Sequence, residues 1–192
     1  MQRRCLILVF LLLMPIHCLS SKDKIKVSKS PLTPEQLEVY GAFLDSYLPG
    51  SAQPIYLSNK THALTLTYDD IHGTCLSGIH IDRSQETINI VHMLPTDMAN
   101  GRPLTLVKLK KNNDALLDKI SAQASRTGAT EEEREPGILS VSEIAFDPSH
   151  HFAVFDFMLD CGNVCGHSRT VVYEKIDGKW RDAKRACSGF IS

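Results

Sequence analysis

The chain has 192 residues, with 21 Lys+Arg against 22 Asp+Glu and a formal net charge of −1. That balance leaves no basic excess to hold nucleic acid or an anionic membrane surface. The length suits one domain with a single sizeable core and is short for two.

The chain opens MQRRCLILVFLLLMPIHCLSS: two arginines, an apolar run over residues 6–16, then small and polar residues. The run is about half of the roughly 20 residues needed to span a bilayer, so with its basic start it reads as a secretory signal peptide over 1–20, cut near Ser20. The alternative, a lipoprotein acylated at Cys18, is disfavoured by the bulk of His17 just before it. Loss of Arg3 and Arg4 leaves 19 basic against 22 acidic side chains, a mature charge of about −3. No later stretch reads as a transmembrane helix, so no membrane insertion is expected after signal removal, and the expected location is secreted or periplasmic.

Residues 21–30, SKDKIKVSKS, are polar and lysine-rich, and read as a flexible leader to a single domain over 31–192. Next comes LTPEQLEVYGAFLDSYLPG. Thr33 is placed as N-cap, Pro34 at the first helical position and Gln36 to complete a capping box. Leu32 and Leu37 are spaced for a hydrophobic staple; Leu37, Tyr40, Leu44, Tyr47 and Leu48 form an apolar stripe, and Pro49-Gly50 ends the helix. From there PIYLS, ALTLTY, GIHID, TINIVHML and LTLVKL read as short strands. NNDALLDKISAQA reads as an amphipathic helix capped by Asn113 or Asn112. Residues 126–137, RTGATEEEREPG, form a charged surface loop.

In the last quarter ILSVSEIAF, HFAVFDFML, RTVVYEKI and KWRDAKRA alternate as strands, with Asp177-Gly178 a hairpin signal between the last two. Phe155, Phe157 and Leu159 fall on one face of the second run, Val154 and Met158 on the other, so it reads as a central strand covered on both sides. The expected fold is α+β: an antiparallel C-terminal meander packed against the helix that begins at Pro34 and stapled by disulfides.

Four cysteines follow the leader: Cys75, Cys161, Cys165 and Cys187. In an exported chain an even number favours disulfides, with three connectivities open. The three-residue spacer in an inter-strand loop favours Cys161 with Cys165, leaving Cys75 with Cys187 by elimination. A redox centre lacks the two-residue spacing and the helix N-terminus that would make a thiolate reactive. Zinc on Cys161, Cys165, His167 and Cys187 is permitted by spacing, but such thiols pair first in an oxidising compartment. No metal or cofactor is expected.

The run SEIAFDPSHHFAVFDFMLDCGNVCGHSRTVVYEKIDGKW with the ending RACSGFIS resembles a module of uncharacterised bacterial exported proteins, patterned CGxLCG, EKxxGxW and a terminal WIS. Val164 replaces the usual leucine and Phe190 the tryptophan. TCLSG around Cys75, followed by VHML, resembles part of a longer form of that family. The resemblance implies export and paired cysteines, and no activity.

Among polar residues, Asp69, Asp70, His72, His80, His92, Glu143, His150, His151, Asp156, Arg169 and Tyr173 are candidates. Asp156 interrupts an apolar strand and is either a buried carboxyl of raised pKa or a rim acid paired with Arg169 or another base. His150-His151 follows Asp147-Pro148 at a hairpin tip. The Asn59-Lys60-Thr61 sequon is taken as accidental. No nucleophile elbow, zinc-protease helix or phosphate loop is present. The expected function is a non-catalytic extracytoplasmic domain binding an envelope or extracellular protein or glycan. The alternative is a small secreted hydrolase using Asp156, Glu143 and nearby histidines, and it requires those groups to meet in one pocket.

Overall fold

The structure, a computed structural model, describes residues 25–47, 55–99, 101, 103–126, 137–162 and 166–191. The expected signal peptide at 1–20, the expected Pro49-Gly50 stop, Cys165 and most of the charged loop lie outside the described residues.

The fold is α+β. Strands β1 (Lys26–Val27), β2 (Ile55–Ser58), β3 (Leu64–Thr65), β4 (Thr87–Ile88), β5 (Ile90–Val91) and β6 (Leu104–Val107) occupy the first half with helices α1 (Pro34–Tyr47) and α2 (Tyr68–His72). Helix α3 (Asp114–Arg126) then precedes β7 (Ile138–Val141), β8 (Ala145–Phe146), β9 (Phe152–Asp160), β10 (Gly166–Ile176), β11 (Lys179–Asp182) and β12 (Gly189–Ile191). Eight of these strands form one sheet in the order β11-β10-β9-β7-β2-β6, with β12 beside β10 and β8 beside β9.

The sheet is mixed. Strands β7, β9, β10 and β11 pair antiparallel with one another in that order, but β2 lies parallel to both β6 and β7. Parallel neighbours need a long crossover, and the two segments between β2, β6 and β7 supply it, the second through α3. The antiparallel pairing is confined to the C-terminal strands, and the parallel β2 and β6 extend the sheet beyond what was expected there.

Helix α1 begins with reciprocal bonds: the Thr33 N–H donates to Gln36 Oε1 at 2.9 Å and the Gln36 N–H to Thr33 Oγ1 at 3.2 Å. Its buried face is Val39, Tyr40, Gly41, Phe43 and Leu44, wider than the stripe read from spacing. The reason is a second neighbour: Leu94, Met98 and Ala99 pack into the same core as the sheet. Phe43 sets its ring 5.3 Å from Phe155 and 5.2 Å from Phe157, while the Tyr40 hydroxyl donates to the Ser142 carbonyl at 2.5 Å. Burial of each such ring is worth about 1.5–3 kcal/mol.

The opposite face of the sheet is covered in two separate pieces. At one end Leu64, Leu66, Cys75, Leu76 and Ile81 pack on Ala145, Val154 and Val172. At the other, Leu117 and Ile120 of α3 pack on Val107 and Ile138. Met158, expected under cover, is 40% exposed between them. Neither piece reaches it, so β9 is covered fully on one side only.

Four local expectations change. ALTLTY is extended only over β3, because Thr67 caps α2 and Asp70 closes a capping box with it. GIHID is not a strand: Ile79 donates to the Leu76 carbonyl, and Gly78 adopts φ 77° in a turn that no extended run allows. ILSVSEIAF is split, since residues 142–144 oppose only residues 155 and 156 between the Val141–Phe157 and Ala145–Val154 pairs. This bulge moves Ala145 to the face opposite Val141. KWRDAKRA keeps its strand only to Asp182, after which Lys184 turns at φ 53°.

The leader, read as flexible, also carries structure. The Lys26 N–H donates to the Asn89 carbonyl at 2.9 Å and the Ser28 N–H to that of Val91 at 2.7 Å, pairing β1 with β5. The open edge of β5 offers those carbonyls.

Candidate functional site

Cys75 and Cys187 form a disulfide with Cα atoms 4.4 Å apart, 112 residues apart in sequence. It ties the 64–88 cover to the chain just before β12. Cys161 is also disulfide-bonded; Cys165, its expected partner, lies outside the described residues. With Cys161 and Cys187 bonded, the zinc reading loses two thiolates, and His167 Nε2 lies 2.6 Å from the Tyr47 hydroxyl. Among the described residues no group of three His, Cys, Asp or Glu side chains is arranged to hold a metal ion. Nor is any described helix long and apolar enough to cross a membrane.

Where the two covers leave the sheet open there is a cleft of about 370 Å³. Asp156 and Met158 of β9, Ser168 and Thr170 of β10, His62 and Phe190 line it. Register explains the set: Thr170 lies opposite Asp156 and Ser168 opposite Met158, and cross-strand pairs share a face. Pairing of β12 with β10 sets Phe190 opposite Ser168, and the Cys187 disulfide anchors that strand. His62 is held by backbone: its N–H donates to the Val141 carbonyl and its carbonyl accepts from Glu143, both beside the bulge. Met158 and Phe190, 40% and 57% exposed, give the cleft an apolar rim.

Asp156 is the chemical centre. Its Oδ1 accepts from Thr170 Oγ1 at 2.8 Å, and among the described residues its other oxygen has no partner. Arg169 does not pair with it: that guanidinium donates to the Arg185 carbonyl at 2.8 Å, and register gives the facing position to Thr170. Burial pushes the Asp156 carboxyl up from its ordinary value, and the Asp70 charge adds to this, while the Thr170 bond opposes it.

Asp70 answers Asp156 across two hydroxyls. Its Oδ1 accepts from Ser188 Oγ at 2.5 Å and Ser188 N at 3.2 Å, its Oδ2 from Thr67 Oγ1 at 2.7 Å and Thr67 N at 3.0 Å. Burial acts to raise its pKa, but these four bonds win and hold it below the ordinary range. Ser188 Oγ lies 3.4 Å from Thr170 Oγ1, so the two carboxyls end one row of polar atoms. Burial alone lowers the His62 imidazole from its ordinary 6.5, so it is neutral at pH 7.

Glu143 does not enter the cleft. It is buried and accepts from the His92 N–H at 3.0 Å, from Thr61 Oγ1, and lies 2.9 Å from His92 Nδ1. The other candidates scatter. His150 Nδ1 lies 2.7 Å from Glu35, His151 Nε2 3.1 Å from Glu174, and exposed His80 3.9 Å from Asp82. The His72 ring lies 4.4 Å from that of Tyr68 at a 45° tilt, and Asp69 is exposed. Tyr173 shares a 2.5 Å bond with Ser46, and burial holds its hydroxyl neutral.

Sequence reasoning named Asp156 and Asp70 but passed over His62, Thr170 and Ser188. The T-x-x-D box at Thr67 was available as a signal for the Asp70 position. Nothing local marks His62, which reaches the cleft through long-range pairing at the bulge. Comparison with protein-family models, curated proteins and solved structures finds no match.

Proposed function

We propose that the protein is an exported binding domain, secreted or periplasmic, that takes part of an envelope or extracellular protein or glycan into the cleft over Asp156. The observation that carries this reading is the Asp156 carboxyl, desolvated yet lining an open cleft with one oxygen uncommitted. An acceptor that faces the cleft and is committed to no donor of the fold can take a ligand's donor without breaking an internal bond, which is how a preformed ligand site differs from a structural acid. In this reading the antiparallel strands, backed by α1, are a rigid platform, and the Cys75–Cys187 disulfide fixes one wall. The disulfide is compatible with export, and a Cys161–Cys165 bridge would complete the expected pair.

A fragment screen by amide NMR tests it. Hits should shift the amides of residues 156, 170 and 188–190, and fewer shifts should appear in the Asp156→Asn variant. Hits confined to other surfaces would contradict the reading.

A hydrolase reading draws on one observation: a neutral imidazole, His62, and a carboxyl of raised pKa line the same cleft, and these are the states a general base and acid need. Glu143 has no part in it, committed as it is to His92 and Thr61. Turnover of chromogenic esters or glycosides, abolished by both His62→Gln and Asp156→Asn, would favour it over binding alone.

A further inference from the structure

The charges around the cleft select its ligand, and this step rests on the binding reading above. Among the described residues, the charge that shifts the Asp156 carboxyl is that of a second carboxylate, Asp70, and it acts in the same direction as burial. Arg169 also lines the cleft, but its guanidinium donates to the Arg185 carbonyl at 2.8 Å and makes no bond to Asp156. His62 is neutral and supplies no counter-charge. A desolvated carboxyl in these surroundings is short of one positive group.

The rim adds a shape to that charge. Met158 and Phe190 stand exposed on either side of Ser168, one on β9 and one on β12. A polarizable thioether and an aromatic face suit an alkyl stem, and the ring also attracts a cation that passes over it. We propose that the cleft binds a primary ammonium group carried on an apolar stem, with the ammonium on the free oxygen of Asp156 and the stem between Met158 and Phe190. Asp156, Ser168 and His62 all line the cleft, and their side chains include acceptors for the three donors of an ammonium group. An anionic ligand would meet the Asp156 carboxyl. A neutral one would leave the charge deficit in place.

The same group occurs on free amines and on lysine side chains of proteins, and the probes separate them. Cadaverine represents the first, Nα-acetyl-lysinamide the second, and pentane-1,5-diol is the uncharged control, each titrated into the full disulfide-bonded protein by calorimetry and amide NMR. At least one amine should bind saturably and shift the amides of residues 156, 170 and 188–190, with the diol at least about tenfold weaker. Asp156→Asn, which keeps an acceptor for Thr170, should weaken amine binding about tenfold or more, as loss of a charge-assisted hydrogen bond requires. Phe190→Ala, at an exposed position, should weaken it several-fold without unfolding the chain. Preference for cadaverine indicates a free amine, and preference for the lysinamide indicates a protein ligand. Amine binding that is unchanged in Asp156→Asn, or a diol that binds as well as the amines, would overturn the proposal. Fragments that shift the cleft amides while neither amine does would sink this inference alone and leave the binding reading standing.

Discussion

The two faces of the eight-stranded sheet share their strands and end differently. On the α1 face Ala153, Phe155, Phe157 and Leu159 of β9 are all buried, and a single helix with the 94–99 segment covers them. On the other face the same strand runs Val154, Asp156, Met158, Asp160, and cover stops after the first. Alternation within one strand thus carries two messages. An unbroken apolar parity marks the face that holds the fold together, and a parity that fades along the strand marks where the surface is left for a ligand. Asp156 stands at that change.

The comparison predicts that stability and binding separate by face, and the effects can be ranked. The largest belongs to the disulfide that ties the 64–88 cover to the chain before β12. Replacing Cys75 and Cys187 together by serine releases a loop of more than a hundred residues and should cost about 5 kcal/mol in the loop-entropy model, read by urea denaturation. Loss below about 1 kcal/mol would show that the disulfide is dispensable to the cleft wall. On the α1 face, Phe43→Ala removes a ring in contact with Phe155, Phe157, Tyr47 and Tyr173 and should cost about 3–5 kcal/mol. Phe190→Ala, on the rim of the cleft, should change stability by no more than about 0.5 kcal/mol. Similar costs at the two phenylalanines would erase the distinction between the faces.

Asp156, which lines the cleft, and the buried Asp70 sharpen the comparison through pH. Asp70 has its pKa lowered in the fold, so its contribution is present above the ordinary value of 3.8 and fades as pH falls through the folded value. Asp70→Asn should therefore lower the melting temperature at pH 7 and matter little in strong acid. Asp156 has its pKa raised, so its contribution is present below 3.8 and is lost as pH rises through the folded value. Asp156→Asn should accordingly leave stability near pH 3 almost unchanged and raise the melting temperature at pH 7. Thermal melts of the three proteins from pH 3 to pH 7 check both signs, and curves that move in the same direction would refute the assignment.

What could be read from the sequence was local or periodic. The α+β class follows from strand alternation beside one capped helix, and the Thr33 and Gln36 cap bonds form because both partners lie within one turn. Asp177 and Gly178 take φ values of 52° and 75°, the pair that a tight hairpin demands and that Asp-Gly permits. The Cys75–Cys187 bridge was reached by counting. What was not legible depends on distant partners. The parallel insertion of β2 is set by crossovers, and the bulge at 142–144 brings His62 against Ser142 from eighty residues away. Asp156 stands out as an oddity in an apolar run, read either as a buried carboxyl or as a rim acid paired with Arg169 or another base. Register sets it opposite Thr170 instead, and register was beyond sequence reach.

The measurement that bears most directly on the cleft is a carbon-13 NMR titration of the Asp156 side-chain carboxyl, run with and without saturating cadaverine. The account predicts a midpoint above the ordinary carboxylate value of 3.8 in the free protein, and a fall when the ammonium group binds. A midpoint at or below 3.8 in the free protein, unmoved by the amine, would contradict it.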